Sequence, residues 1–340
     1  MKKIQQKTFG THNNKSVELI TLTNKNGMEV SVTNFGGIIT SIKVPVGGKM
    51  IETVLGFDTF EEYVSEAYRK GYPYLGTIIG RNAGRIKYGK TKINGEAVQL
   101  TTNHGENQLH GGFVGFDSVV WNVVKAEENP NPSVTLEYFS KDGEEGYPGN
   151  LTATVSYTLL DDNSIQIQYG GKTDKPTILN LTQHTYFNLN HGNESDVLNH
   201  TLTIHSDKYV PLVPEFFTPT GEILPVTGTP LDYQNGQLIY EHTDNSFVNE
   251  TNGDKCIGSV TNAEKTITVE VRTNHAVLHI YAGYYLPELE VKNRKKLGKN
   301  TGFCFEAQGF ADALNHPNFK STQLNPDETY NYWTNFKFIF

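Results

Sequence analysis

The chain has 340 residues, 36% of them hydrophobic and 11% aromatic, a composition that suits a large buried core and argues against disorder. Its net charge of −8, from 37 acidic and 29 basic residues with no basic block, argues against capture of nucleic acid or anionic lipid by charge. No apolar stretch approaches the roughly 20 residues that cross a bilayer. A neutral small molecule remains open as the ligand.

The cysteine content and the first residues favour a cytoplasmic protein. Cys256 and Cys304 are the only two cysteines, too few for a disulfide scaffold, so a reducing compartment is the simpler interpretation. The start "MKKIQQKTFG" continues with Gln and Lys where a secretory signal needs an apolar segment.

Alternation of apolar and polar residues predicts strands from one end of the chain to the other. The clearest runs are "EVSVT" from Glu29, "TATVSYTL" from Thr152, "SIQIQY" from Ser164, "TITVEVR" from Thr266 and "VLHIYAGYY" from Val277. Hairpin turns are predicted at "NKNG" (Asn24), "VGGK" (Val46), "NGE" (Asn94) and "DDNS" (Asp161). Successive strands should therefore mostly pair antiparallel.

One segment, "TFEEYVSEAYRKG", has helical spacing. Its apolar residues Phe60, Tyr63, Val64 and Tyr68 fall on one face behind Thr59, which is a good N-cap. We expect a single helix there that covers an edge or end of a sheet.

The chain shows no fixed-period repeat and no Pro/Gly/Ser linker, which argues against a propeller, a solenoid or a multidomain protein. We therefore predict an all-β protein with one domain over residues 1–340, a large antiparallel β-sandwich. Binding groups are expected on one concave face and its strand-end loops.

Three separated segments carry ionisable groups in a structured or glycine-rich context: His110 in "QLHGG", His184 in "TQHTYFNL" and Glu306 in "GFCFEAQGF". Glu306 lies in a run that otherwise resembles a buried strand, where a carboxylate can act as a general base or can pair with an Arg for structure. Taken singly, each histidine fits a satisfied core position better than a catalytic one.

Other candidates are weaker from local sequence. Arg85, between glycines in "GRNAGRIKYG", could hold hydroxyls or a carboxylate, and Arg81 could instead be a surface residue. Asp244 fits a turn better than a ligand position. Metal binding by His104, Glu106 and His110 is poorly supported by their spacing, and no nucleotide, zinc-protease or serine-hydrolase motif is present.

Together these segments resemble the aldose 1-epimerase family, the galactose mutarotases, over nearly the whole chain and in the family's order. The matching segments are "LGFDTFEEY", "GTIIGRNAGRI", "NQLHGG", "DGEEGYPGNL", "LNLTQHTYFNL", "GFCFEAQGFADALNHPNF" and "LNPDETYNYWTNFKF". The resemblance implies a galactose mutarotase-like supersandwich with an open cleft for a pyranose. It also implies interconversion of the α and β anomers of free aldohexoses such as galactose and glucose.

The resemblance also implies roles for single residues. Glu306 would be the general base, His184 the general acid, and His110 a hydrogen-bonding group near the ring oxygen or the anomeric hydroxyl. The positions that would hold or line the substrate are Gly84, Arg85, Tyr186, Asp244 and His279. Neither a metal nor an organic cofactor is implied, and a monosaccharide is the only partner expected of a monomer or homodimer.

Two positions depart from the family pattern. Asn245 follows Asp244 where the family usually has His, and His279 replaces a Gln. Both lie where substrate hydroxyls are expected, so they bear on sugar preference more than on reaction type; neutral substitutions at the rim of the site are an equal alternative. A glycoside hydrolase that pairs Asp244 with Glu306 is an alternative, as is a non-catalytic sugar-binding protein of the same fold. A hexose-phosphate epimerase would need a basic cluster, which only Arg81 and Arg85 suggest.

Overall fold

Antiparallel strands form three main sheets in the computed structural model, which describes residues 3–193, 195–289, 291 and 294–340. The nine-stranded sheet has the order Asn122–Glu127, Ser133–Ser140, Leu151–Leu159, Ser164–Thr173, Tyr330–Ile339, Thr268–Thr273, Gly258–Thr261, Thr201–Ile204, Gln237–Leu238. The six-stranded sheet has the order Tyr186–Phe187, Phe303–Gln308, Val277–Tyr281, Asp244–Val248, Lys208–Val210, Leu224–Pro225. The five-stranded sheet follows chain order: Ile4–His12, Lys15–Thr23, Glu29–Thr33, Ile39–Val46, Lys49–Glu52.

Short elements connect these sheets. Five two-stranded pairs are Arg85–Ile86 with Gln108–Leu109, Thr182–Gln183 with Ile78–Ile79, Thr177–Ile178 with Gln323–Leu324, Leu212–Val213 with Thr218–Pro219, and Lys90–Ile93 with Glu96–Gln99. The 3-10 turns are Lys87–Gly89, Phe116–Ser118, Glu144–Gly146 and Ala313–Asn315, and the α-helices are Phe60–Tyr63 and Glu66–Lys70. In the part of the chain that is described, no helix is long and apolar enough to cross a bilayer.

The predicted strands and turns are confirmed, with small changes at the ends. All four predicted turns join paired strands, and Glu29–Thr33 has the predicted bounds. The predicted run from Val277 is shorter, because its strand ends at Tyr281 and Gly283 then takes a φ of +68°. A positive φ at this glycine turns the chain out of the sheet.

The prediction of one helix is wrong, since the segment forms two. The carboxylate of Glu62 accepts hydrogen bonds from the backbone and the hydroxyl of Thr59, which caps the first helix as expected. Ser65 then caps a second helix by accepting from the backbone N–H of Tyr68 at 3.3 Å. A serine inside a helical pattern competes for backbone hydrogen bonds and here restarts the helix.

Aromatic packing joins the six-stranded sheet to the nine-stranded sheet. The ring of Phe187 lies 5.2 Å and 6.3 Å from the rings of Phe336 and Phe338, between centroids, and 5.7 Å from that of Phe303. All of these side chains are almost fully buried. The two sheets therefore pack face to face as a sandwich, and the opposite face of strand Phe303–Gln308 is left for other side chains to contact.

Candidate active site

Three elements bring the predicted acid–base residues together. His184 directly follows strand Thr182–Gln183, His110 follows Gln108–Leu109, and Glu306 lies within Phe303–Gln308. His184 Nε2 is 3.5 Å from Glu306 Oε1, and the His110 and His184 ring centroids are 5.4 Å apart. His184 and Glu306 are only 4% and 2% exposed. Burial lowers the pKa of His184, although the charge of Glu306 opposes this.

Strand alternation explains how an acid comes to be buried in this apolar run. Phe303, Phe305 and Ala307 pack in the main core, so the side chains between them point to the other face. That face meets His184, which contacts both Glu306 and Cys304. The six-residue strand thus supports the core on one side and supplies the site on the other.

The backbone fixes the orientation of His110. The N–H of Gly84 donates to His110 Nδ1 at 3.2 Å, so in the neutral ring the proton is carried by Nε2. Burial, followed by the nearby His184 and Arg85, holds the pKa of His110 well below its usual value. Gly84 has a φ of +80°, and a Cβ there would lie 2.7 Å from that of Ala311, so only glycine fits. His110 is therefore a neutral donor.

A second charged pair lies on the neighbouring strands. His279 is directly opposite both Glu306 and Ser246 in the six-stranded sheet. Its Nε2 is 3.0 Å from Asp244 Oδ1, and its Nδ1 is 2.9 Å from Ser246 Oγ. Burial lowers the pKa of His279, but the hydrogen bond to Asp244 and the charge of Glu306 outweigh burial and raise it. The same bond overcomes burial at Asp244 and holds its pKa low.

Arg85 lies near His110 and Asp244. Its guanidinium carbon is 5.3 Å from the ring centroid of Phe217, and its charge helps to lower the pKa of both His110 and Asp244. The Arg85 Nε is buried without a hydrogen-bond partner among the described residues. A buried donor without a partner is available to a ligand oxygen.

The structure changes the interpretation of two other residues. The Tyr186 hydroxyl donates to the Pro73 carbonyl at 2.9 Å, and its ring lies 5.0 Å from that of His184, so its contact within the site is with the imidazole. Arg81 is not a surface residue, because it is 2% exposed. Its guanidinium donates to backbone and hydroxyl oxygens of Ser140 at 3.0 Å and 2.8 Å.

Sequence reasoning missed several contacts of these groups. Tyr74 packs its ring 4.7 Å from that of His110, and Cys304 places its Sγ 3.5 Å from His184 Nδ1. Ser246 completes the hydrogen bonds of His279. Period-two alternation could have placed Cys304 on the same face as Glu306, whereas nothing local marks Tyr74.

The central cluster also has a composition that could hold a divalent cation. One ligand atom from each of His110, His184 and Glu306 lies within 4.8 Å of the others. Two imidazoles and a carboxylate are ligands that zinc accepts. His104 and Glu106, which the sequence offered as ligands beside His110, are exposed.

An antiparallel β-sandwich that sets a buried carboxylate against two imidazoles has the groups that acid–base enzymes use. A family model described as aldose 1-epimerase matches residues 18–337. The aldose 1-epimerase of Haemophilus influenzae is 36% identical over 98% of this chain and 99% of its own, and the rat galactose mutarotase is 36% identical over 92% and 91%. The chain therefore belongs to the aldose 1-epimerase family, a family of isomerases.

A solved structure supports the same fold. The galactose 1-epimerase of Lactobacillus acidophilus aligns with a TM-score of 0.86 at 27% identity, over 100% of this chain and 99% of that one. This confirms the predicted galactose mutarotase-like sandwich.

Proposed function

We propose that the protein interconverts the α and β anomers of free aldohexoses such as galactose and glucose. The observation that carries the proposal is the 3.5 Å contact between His184 Nε2 and Glu306 Oε1, atoms of two buried side chains. Opening a cyclic hemiacetal requires one proton to leave the C1 hydroxyl and another to reach the ring oxygen, so the site needs a base and an acid side by side.

The proposed mechanism uses these two groups in turn. Glu306 accepts the proton of the C1 hydroxyl while His184 gives its Nε2 proton to the ring oxygen, and the C1–O5 bond breaks to leave an open aldehyde. Rotation about C1–C2 presents the other carbonyl face. Reclosure then reverses both proton transfers and yields the other anomer. Each group of this kind typically contributes about 10² to 10⁴ in rate.

We assign the surrounding residues to substrate binding. His110, as a neutral donor, bonds near the ring oxygen or the C1 hydroxyl. Arg85, together with the backbone at Gly84, and the Asp244–His279 pair hold the other hydroxyls. Tyr186 was expected among the binding residues, but since its hydroxyl is bonded to a backbone carbonyl we now propose that it packs against His184.

We also propose a single domain over residues 1–340, because one core cluster includes residues of all three sheets. A cytoplasmic location of the protein is consistent with its two free cysteines. A monomer or homodimer that binds a monosaccharide, with no nucleic acid or membrane partner, fits the net charge of −8 and the neutral substrate.

The contacts of the Asp244 carboxylate argue against the glycoside hydrolase alternative. That carboxylate is already bonded to His279 at 3.0 Å, whereas a hydrolase needs a second free acid beside Glu306.

Polarimetry of freshly dissolved α-D-galactose and α-D-glucose tests the proposal. Wild type should accelerate mutarotation over buffer, and Glu306→Gln should lower kcat by at least about 10², because the base is lost while shape is kept. Glu222→Gln, at an exposed position, is the matched control and should behave as wild type. Absence of acceleration by wild type, or full activity of Glu306→Gln, would overturn the proposal.

A further inference from the structure

Both nitrogens of the His184 ring contact side chains of a single strand. Nε2 lies 3.5 Å from Glu306 Oε1, and Nδ1 lies 3.5 Å from Cys304 Sγ. Within the described ranges, the thiol is the only side chain that hydrogen-bonds Nδ1. The backbone N–H of His184 donates a hydrogen bond to the Thr77 carbonyl at 2.8 Å, which fixes the backbone position from which the ring extends.

The strand geometry explains why each nitrogen of the ring has a contact on the same strand. Side chains at i and i+2 of a strand point to the same face about 6.8 Å apart, a spacing that fits an imidazole with a contact at each nitrogen. Cys304 is fully buried and pairs directly with Tyr186 and Tyr281 on the two neighbouring strands. A backbone held on both sides cannot move the sulfur independently of Glu306.

The thiol has the chemistry that this nitrogen needs. The Cys304 side chain is fully buried, with its Sγ 3.5 Å from His184 Nδ1. A thiol can donate to an unprotonated Nδ1 and can accept from a protonated one. It therefore satisfies Nδ1 when the resting His184 is neutral with its proton on Nε2, and also when the ring is protonated on both nitrogens, gives its Nε2 proton to the sugar and keeps the proton on Nδ1.

We propose that Cys304 is the positioning residue of His184. Its thiol holds Nδ1 and so directs Nε2 toward Glu306. Nε2 is then the atom that exchanges a proton with the sugar. This inference rests on the proposed function for its kinetic consequence. The hydrogen bond itself can be observed without turnover.

The kinetic test compares three variants by polarimetry. Cys304→Ala removes the hydrogen bond and should lower kcat about tenfold, the size expected for one ordinary hydrogen bond, with KM little changed. Cys304→Ser keeps a group that donates and accepts, and should recover most of kcat. Cys256→Ala is the matched control, because that sulfur bonds instead to the Gly258 carbonyl at 3.0 Å, and it should equal wild type.

The second measurement is the ¹⁵N chemical shift of His184 Nδ1 at pH 8 in protein labelled at histidine, assigned by its loss in His184→Asn. Wild type and Cys304→Ser should show a hydrogen-bonded, unprotonated nitrogen, and Cys304→Ala should move this resonance toward the free value. Should Cys304→Ala fail to fold, Cys304→Val, which also lacks a donor, replaces it.

An unchanged Nδ1 shift in the alanine or valine variant overturns the inference. A Cys304→Ser variant as slow as Cys304→Ala also overturns it, since packing and not hydrogen bonding would then explain the loss. If wild type gave no mutarotation, the proposed function would be wrong, while the shift would still decide whether Cys304 holds His184.

Discussion

His279 carries the clearest prediction about pH among single residues. Its ring stands between Asp244 and Ser246. Burial lowers its pKa, but the hydrogen bond to Asp244 and the charges of Glu306 and Asp244 raise it above the usual 6.5. The folded protein then binds this proton more tightly than the unfolded chain. The stability that results is fully present below pH 6.5 and is lost as pH rises through the raised value.

We therefore expect His279→Gln to lose stability mainly at mildly acidic pH. The Tm difference between wild type and His279→Gln should be largest near pH 5 to 6 and should shrink toward alkaline pH. The same exchange at exposed His205 is the control and should show no such trend. A Tm difference that grew with pH would contradict the pairing with Asp244.

The sequence predicted which proposed acid–base residues come together better than it predicted the side chains around them. His110, His184 and Glu306 lie in recognisable segments, and the structure brings all three together. The sequence did not predict that Tyr74 contacts His110 or that Cys304 contacts His184. These contacts depend on how segments that are distant in sequence pack together. Local spacing contains no information on that packing.

Among the elements, the hairpin formed by Leu212–Val213 and Thr218–Pro219 packs against Arg85, beside the proposed site. Its tip places Phe217, with a φ of +53°, over the Arg85 guanidinium, and the Asn107 side chain donates to the Phe216 carbonyl at 3.1 Å. The hairpin thus holds the arginine through an aromatic face. Such contacts are worth about 0.5 to 1 kcal/mol at exposed positions.

We expect Phe217→Ala to raise KM by about two- to fivefold and to leave kcat nearly unchanged, because the role proposed for Arg85 is to hold substrate and not to move protons. Polarimetric kcat and KM for galactose measure the effect. Phe113→Ala, which removes another exposed ring, is the comparison. A fall in kcat at constant KM would show that the hairpin acts on the chemistry instead.

Local sequence predicted the hairpins well because a turn depends on only a few adjacent residues. The pairs at Asn94 and Asp161 follow from Asn-Gly and Asp-Asn turns. The helix after Thr59 was predicted too long, since Ser65 offered a second cap that the apolar spacing did not reveal. Capping competes with periodicity wherever a serine interrupts the pattern.

At the scale of the whole molecule, Phe187 joins the two large sheets. Its ring contacts Phe303 and Phe305 of its own sheet and Phe336 and Phe338 of the other, and it is fully buried. Removal of a phenylalanine ring from such a place typically costs about 3 to 5 kcal/mol.

Phe187→Ala should lower the free energy of unfolding by this amount in urea titrations. Phe139→Ala is the matched control, because Phe139 is 53% exposed on the nine-stranded sheet, and it should change stability by less than about 0.5 kcal/mol. Equal losses in the two variants would mean that the sheets do not depend on Phe187.

Strand order is the part of the fold that composition and periodicity could not provide. Strand Tyr330–Ile339 lies between Ser164–Thr173 and Thr268–Thr273, so its partners are far apart in sequence. Alternation predicts that each strand has a buried face but not which strand it pairs with. That order comes from the structure alone.

The double use of strand Phe303–Gln308 limits how this enzyme can acquire a new sugar preference during evolution. A change that shifts the strand to suit another sugar also disturbs the packing of Phe303 and Phe305. Adaptation is easier on the neighbouring strands, where Asn245 and His279 are only partly buried.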